Sequence, residues 1–335
     1  MSEVPFQRDG QKWDAELVPP GLGSRLRRSV RRASATFWRD FLFFWTEYFP
    51  PIVLWTRPFF LWFAFRYSQV LADGPTRNAR RLLGPNAKAE EIEKLRREVI
   101  RNGYLSVYEL GRCLRIPPDQ LPSCIDRADG THHYHAARAL RRGAILVSAH
   151  LGPFELGVAA LRAHEPRIHV VFRRDERARF ERIRSRFRTH LGILEAPVDE
   201  GLAVWMRLRD ALLADEVVLM QGDRVMPGQK GVAVPFGNGH LLMPTGPVRL
   251  AMATGAPIVP LFSIRTAPCR VRLVIDEYVT AEREPGPVSG QHPVMRYLAQ
   301  CIERQVFANP QQWITYYRAW LEDADAAFTP PAPAL

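Results

Sequence analysis

His150 and Glu155 are the two side chains whose types and spacing point most directly to chemistry. Histidine has the ordinary pKa closest to neutrality, so it can take a proton from a hydroxyl at working pH. A carboxylate bonded to one ring nitrogen fixes the tautomer and leaves the other nitrogen free as a base. It also stabilises the imidazolium that forms. Leu151, Gly152, Pro153 and Phe154 separate the two residues. Gly152-Pro153 disfavours a regular helix there, which lets Glu155 bend back toward His150. The competing reading is a locally satisfied loop histidine, with a glutamate that merely favours a helix N-terminus. Spacing alone does not choose between them.

These residues sit in the stretch ILVSAHLGPFELG, residues 145–157. The apolar run 144–147 reads as a buried strand, and a small-residue turn then delivers His150. Residues 156–161 read as the next helix, with Glu155 at its start. The carboxyl end of a strand leading into a helix is where open α/β sheets bind ligands. Downstream the pattern keeps alternating. Strands are expected at 167–172, 216–220, 232–236, 257–264 and 270–275, and helices at 175–191, 203–213, 247–254 and 294–307. That rhythm predicts an α/β fold, a central mostly parallel sheet flanked by helices. Arg173 lies at the end of one strand, and Asp223 and Arg224 just past another, so all three are candidate pocket residues.

The helix at 175–191 carries Arg177, Arg179, Arg182, Arg184, Arg186 and Arg188 against few acids. Most of such a run is a solvated face, but the excess of cations predicts a surface for phosphate or for an acidic partner. The whole chain agrees: 335 residues with a formal net charge of +11. This favours an acidic partner such as a phospholipid surface, a phosphorylated ligand, an acyl carrier protein or nucleic acid. The hydrophobic fraction of 47% supports a large core. The four cysteines are scattered without metal-ligand or disulfide spacing. His132, His133 and His135 are close together, but no cysteine or acid stands at ligand spacing, so they read as the start of a helix.

The amino-terminal third is different. Residues 1–36 form a polar, basic extension with Arg25, Arg27, Arg28, Arg31 and Arg32, expected to be poorly ordered and without a cleavable signal. Residues 37–70 are aromatic-heavy, interrupted by Arg39, Asp40, Glu47 and Arg57 and broken at Pro50-Pro51. Neither half reaches the ~20 apolar residues of a spanning helix. Tryptophan and phenylalanine beside arginine suit the headgroup layer, so a membrane-associated helical hairpin is expected. A soluble helix pair and a single tilted span are the alternatives. Residues 89–113 read as one amphipathic helix, 71–325 as the main α/β domain and 326–335 as a Pro-rich disordered tail.

Several blocks then agree in order with one family. His150-Leu-Gly-Pro-Phe-Glu155, Phe172-Arg173, Arg186 and Arg188 before Leu191-Gly192, Asp223-Arg224 and Gly231-Val-Ala-Val-Pro-Phe-Gly237 are five of them. Thr245-Gly246-Pro247 through Pro260, Pro310-Gln-Gln-Trp313 and Arg318-Ala-Trp320 follow. Together they resemble the lipid A biosynthesis lauroyl/myristoyl acyltransferases and their relatives that acylate phosphatidylinositol mannosides. The segment ending at Gly237 has only Phe236 where the family usually has two phenylalanines. Pro153-Phe154 also departs from the asparagine and aromatic common in the His150 block.

The resemblance implies a glycerol-3-phosphate acyltransferase-like fold at the cytoplasmic face of a bacterial inner membrane. It implies that His150 deprotonates a hydroxyl of a membrane glycolipid, with Glu155 orienting the ring. The hydroxyl would attack the thioester of acyl carrier protein or coenzyme A, used as co-substrate, with no metal or redox cofactor. Arg173 is then a candidate donor to the oxyanion or to a lipid phosphate, Arg186 belongs to a binding surface, and Asp223 and Arg224 shape the pocket. Two other classes stay in view. A serine hydrolase lacks its Gly-x-Ser-x-Gly elbow here, and Ser148 is too near His150 to share a triad. A non-catalytic basic lipid-binding protein fits the charge, whereas no nucleic-acid motif is present.

Overall fold

A computed structural model describes residues 41–68, 70–174, 178–226, 229–283 and 286–324. The basic extension, Arg177 and the Pro-rich tail lie outside the described residues. Residues 41–48 are helical. After a break at Phe49 come α1 (Pro50–Tyr67), α2 (Val70–Leu83) and α3 (Ala89–Cys113). The α/β part is β1 (Ile125–Asp129), α4 (Thr131–Ala139), β2 (Ala144–Ser148), α5 (Phe154–Arg162), β3 (Ile168–Phe172), α6 (Ala178–His190), β4 (Leu194–Pro197), α7 (Leu202–Leu213) and β5 (Val217–Gln221). It continues with β6 (Gly231–Phe236), β7 (Gly239–Pro244), α8 (Gly246–Thr254), β8 (Ile258–Ala267), β9 (Arg270–Ile275), α9 (Pro293–Ala308) and α10 (Leu321–Ala324).

Seven strands form the main sheet in the order β1-β9-β8-β2-β5-β3-β4. All neighbours are parallel except β8 and β9. The expected mostly parallel α/β sheet flanked by helices is therefore present. β2 is buried along its whole length because both sheet faces are covered, the usual fate of a parallel central strand. Alternate side chains go to opposite faces. Ile145 and Val147 join Val218, Met220, Leu208 of α7, Ala251 of α8 and Met295 of α9. Ala144 and Leu146 join Val217, Leu219, Leu156 of α5 and Ile183 and Phe187 of α6. Full burial of such a side chain contributes about 1.5–3 kcal/mol.

β6 and β7 form a separate antiparallel hairpin whose two-residue turn, Gly237-Asn238, needs the positive φ that Gly237 adopts. Alternation in 239–244 is too weak to announce β7, and the four residues of β4, LEAP, carry no periodic signal.

The aromatic segment divides its residues between two environments. Leu42, Phe43, Val53, Leu61 and Ala64 are buried, and Tyr104 of α3 donates its hydroxyl proton to the Val53 carbonyl at 2.6 Å. Phe44, Tyr48, Phe49, Phe59 and Trp62 are exposed, and Trp55 is 82% exposed. The segment is thus core on one side and an apolar ridge on the other. Among the described residues no helix is long and apolar enough to cross a membrane.

Candidate active site

The site is built by two adjacent strands ending level. Ser148, the last residue of β2, pairs with Gln221, the last of β5. His150 and Asp223 each follow two residues later, so both leave the same sheet edge side by side. The chain departs β2 toward β3 and departs β5 toward β8, on opposite sides. Such a divergence at the carboxyl edge is where open α/β sheets bind ligands. Gly222 makes the close approach feasible: its N–H donates to the Ser148 carbonyl at 2.8 Å, and a Cβ there would stand 2.7 Å from Val147 Cγ1.

Asp223 is fully buried and accepts three hydrogen bonds. Its Oδ1 lies 2.8 Å from His150 Nδ1, and its Oδ2 accepts from the His150 backbone N–H at 3.0 Å and from Trp313 Nε1 at 2.9 Å. Burial pushes its carboxyl pKa up. The His150 charge and the bonds from the ring, from Trp313 and from the His150 N–H outweigh that, and hold it below the ordinary carboxylate value. An ionised Asp223 accepts a proton-bearing Nδ1. The Nε2 lone pair is then free, on a ring that keeps 25% of its side chain exposed.

The carboxylate that orients the ring is therefore Asp223, where the sequence reading expected Glu155. Glu155 sits in the first turn of α5, half-buried, and makes no hydrogen bond to the ring among the described residues. The physical reason is the turn. Gly152 takes a left-handed φ of +64° in a turn tied to the Gln312 carbonyl, and the adjacent end of β5 brings Asp223 to the ring's Nδ1.

Trp313, which the sequence leaves without a role, belongs to the same cluster through its bond to Asp223. It is 2% exposed, packs edge-on against Trp320 at 5.7 Å, and bridges backbone to backbone with Leu151. Gly152 N–H donates to the Gln312 carbonyl at 3.0 Å, and Ile314 N–H to the His150 carbonyl at 2.8 Å. The carboxyl-terminal strap thus holds the His150 turn from below. The signal that could have found it is the polar indole N–H of a tryptophan in an otherwise apolar context, which needs a buried acceptor. A Cβ on Gly152 would stand 2.0 Å from the Ser263 carbonyl oxygen. Gly152→Ala is expected to lower stability by about 1–3 kcal/mol and to reduce activity with it. Urea unfolding and turnover measured on the same preparation check this.

The other candidates divide. Arg173, half-buried, leaves the same edge at the end of β3, beside β5. Arg224 adjoins Asp223, with its guanidinium 4.9 Å from the centre of the Tyr317 ring. Arg186 is not part of this cluster: it lies on α6 and pairs with Glu47 at 2.6 Å. Arg188 is structural, buried over the Phe172 ring and paired with Glu181 and Glu195.

Comparison with known proteins agrees with the ordered motifs. A family model described as bacterial lipid A biosynthesis acyltransferase matches residues 58–322. A phosphatidylinositol mannoside acyltransferase of Mycobacterium tuberculosis strain H37Rv is 27% identical over 221 residues, covering 64% of this chain and 66% of the relative. One from strain CDC 1551 is 27% identical over 199 residues, covering 58% of this chain and 60% of the relative. The match thus spans just under two thirds of those relatives' length. The match of the family model over most of the sequence, with His150, Asp223 and Trp313 all inside it, shows that the chain belongs to the bacterial lipid A biosynthesis acyltransferase family.

Proposed function

We propose that the protein transfers a fatty acyl chain from a thioester donor, acyl carrier protein or coenzyme A, to a hydroxyl of a membrane glycolipid. The carrying observation is the His150–Asp223 pair at the open sheet edge. In this reading Nε2 removes the hydroxyl proton as the oxygen attacks the thioester carbonyl. A C–O bond forms, the C–S bond breaks, and the proton passes from the imidazolium to the departing thiolate. Asp223 holds the ring and offsets its charge. Arg173 is assigned to the developing oxyanion, Arg224 to the wall of the pocket, and Glu155 to the acceptor side of the turn.

The exposed aromatic ridge supports a site at a bilayer surface, with residues 41–48 and α1 lying in the headgroup layer as a hairpin. The cytoplasmic face of the inner membrane is where acyl thioesters are available to it. The same proposal takes the sheet to be of the glycerol-3-phosphate acyltransferase type. The relatives' names favour a glycosylated acceptor, lipid A precursor or phosphatidylinositol mannoside.

The test is mass spectrometry of total lipids from a deletion strain, restored with the wild-type gene or with His150→Ala. The expected result is a glycolipid lacking one acyl chain in the deletion strain and in the His150→Ala strain alone. An unchanged lipid profile, or full restoration by His150→Ala, leaves the non-catalytic lipid-binding reading in its place.

A further inference from the structure

A second polar feature lies outside the catalytic crevice. Arg182, Ser185, Arg186, Thr189 and His190 recur at helical spacing on one face of α6, and with Leu114 they line an open groove of about 460 Å³. The opposite face of α6 buries Ile183 and Phe187 in the core, so the polar stripe is held in one orientation.

The cations there are unequally committed. Arg186 is fixed by Glu47, whose side chain is only 3% exposed. Arg115, at the end of α3, donates to the Glu47 backbone carbonyl at 2.6 Å. Its guanidinium pKa is lowered first by burial and then by the neighbouring charges of Arg112 and Arg186, so several arginines share this wall with the Glu47 carboxylate. Arg182 makes no hydrogen bond or ion pair among the described residues. His190 Nε2 lies 3.0 Å from the Ile116 carbonyl, which places its proton there and leaves Nδ1 toward the groove's polar groups.

The same wall carries the apolar ridge. Phe43 stacks on Phe180 of α6 at 4.7 Å between ring centres, and Glu47 joins Arg186 one turn later. Phe44 and Tyr48, 4.7 Å apart, face outward from that helix. Surplus cations and two hydroxyls therefore sit directly beside the aromatics that would enter a lipid interface.

We propose that the α3–α6 groove is a phosphate-binding site for the headgroup of an anionic phospholipid, with Arg182 as its main contact and Ser185 and Thr189 as hydrogen-bond donors. It rests on the membrane-facing reading of the ridge and adds a lipid contact apart from the reacting hydroxyl. Guanidinium with flanking hydroxyls is the donor set that phosphate oxygens select. Anchoring there would fix how the crevice is rotated over the membrane.

The test is binding of the full-length protein to vesicles of phosphatidylcholine alone and of phosphatidylcholine mixed with phosphatidylglycerol. Arg182→Glu and the double variant Ser185→Ala/Thr189→Ala are compared with Arg209→Glu, a matched charge reversal on α7. Arg186 is left intact because its loss would strand a buried Glu47. Arg182→Glu is expected to weaken binding to anionic vesicles about 10- to 30-fold and to leave binding to neutral vesicles unchanged. The double variant should fall in between, and Arg209→Glu should stay near wild type. Hydrogen exchange of residues 182–190 should slow with anionic vesicles and not with coenzyme A or acyl carrier protein. Equal losses from Arg182→Glu and Arg209→Glu would make the effect one of net charge and overturn the site. Protection by coenzyme A or acyl carrier protein instead would assign the groove to the donor and overturn the lipid. Failure to bind neutral vesicles at all would count against the ridge, not the groove.

Discussion

Asp223→Asn is expected to lower acyl transfer by about 10²–10⁴-fold while leaving the fold intact. The size of the effect comes from hydrogen-bond accounting. The Oδ2 position faces two obligate donors, the His150 N–H and Trp313 Nε1, so an amide must put its oxygen there. Its NH2 then faces His150 Nδ1. Two donors cannot share that bond, so Nδ1 gives up its proton and Nε2 carries it. The ring would present a protonated nitrogen where the proposed reaction needs a base. Steady-state turnover with acyl thioester and acceptor checks this, and His150→Ala should fall by a similar factor. Near-wild-type turnover in Asp223→Asn would remove the aspartate from the mechanism.

The same residue sets an acid limit on stability. Its folded carboxyl pKa is held below the unfolded value of about 3.9. A depressed carboxylate contributes stability that is fully present above the unfolded value and is lost as pH falls through the folded one. Wild type should therefore lose stability below about pH 4 more steeply than Asp223→Asn, as followed by thermal unfolding across that range.

Arg265→Met is expected to cost about 3–5 kcal/mol of unfolding free energy. Arg265 of β8 is 9% exposed and Glu109 of α3 is 1% exposed. The guanidinium donates to Glu109 Oε1 at 2.8 Å and to Oε2 at 2.6 Å, to Ser106 Oγ at 2.8 Å, and to Asn102. Removing the arginine leaves a buried carboxylate that, among the described residues, keeps the Cys269 N–H at 3.0 Å as its hydrogen-bond donor. Arg265→Met with Glu109→Leu removes both charges and should recover most of the loss, because two desolvated ions then disappear together. Urea unfolding of the single and double variants decides it. The network also reaches the site. Gln312 accepts the Arg265 N–H at 2.7 Å and donates to the Arg265 carbonyl at 3.0 Å, and the next residue is Trp313. Any shift of β8 relative to α3 would therefore reach the indole that steadies Asp223.

Local physics made much of this legible beforehand. The continuous apolar run into β2, the Gly152-Pro153 break and the helix after it are properties of neighbouring residues, so the position of His150 at a strand end could be read directly. The stripe of Ile92, Leu95, Val99, Ile100, Tyr104 and Leu110 placed α3 at residues 89–113 for the same reason. The partner of His150 was different. Glu155 was five residues away in sequence, whereas Asp223, 73 residues away, occupies the adjacent strand end because β5 inserts between β2 and β3. Strand order is decided by how helices cover the two sheet faces, and no hydropathy pattern encodes it.

The aromatic segment divides along the same line. Its composition announced an unusual surface, but only packing against α3 and α6 decided which rings are core and which form the ridge. The sequence by itself determined the α/β class, the place of His150 after a buried strand and the surplus of positive charge, because each follows from residue type or short-range periodicity. The tertiary structure alone decided the Asp223 acceptor, the Trp313 strap, and which arginines are tied into ion pairs. Those are contacts across the sheet and between layers, where distance along the chain carries no information about distance in space.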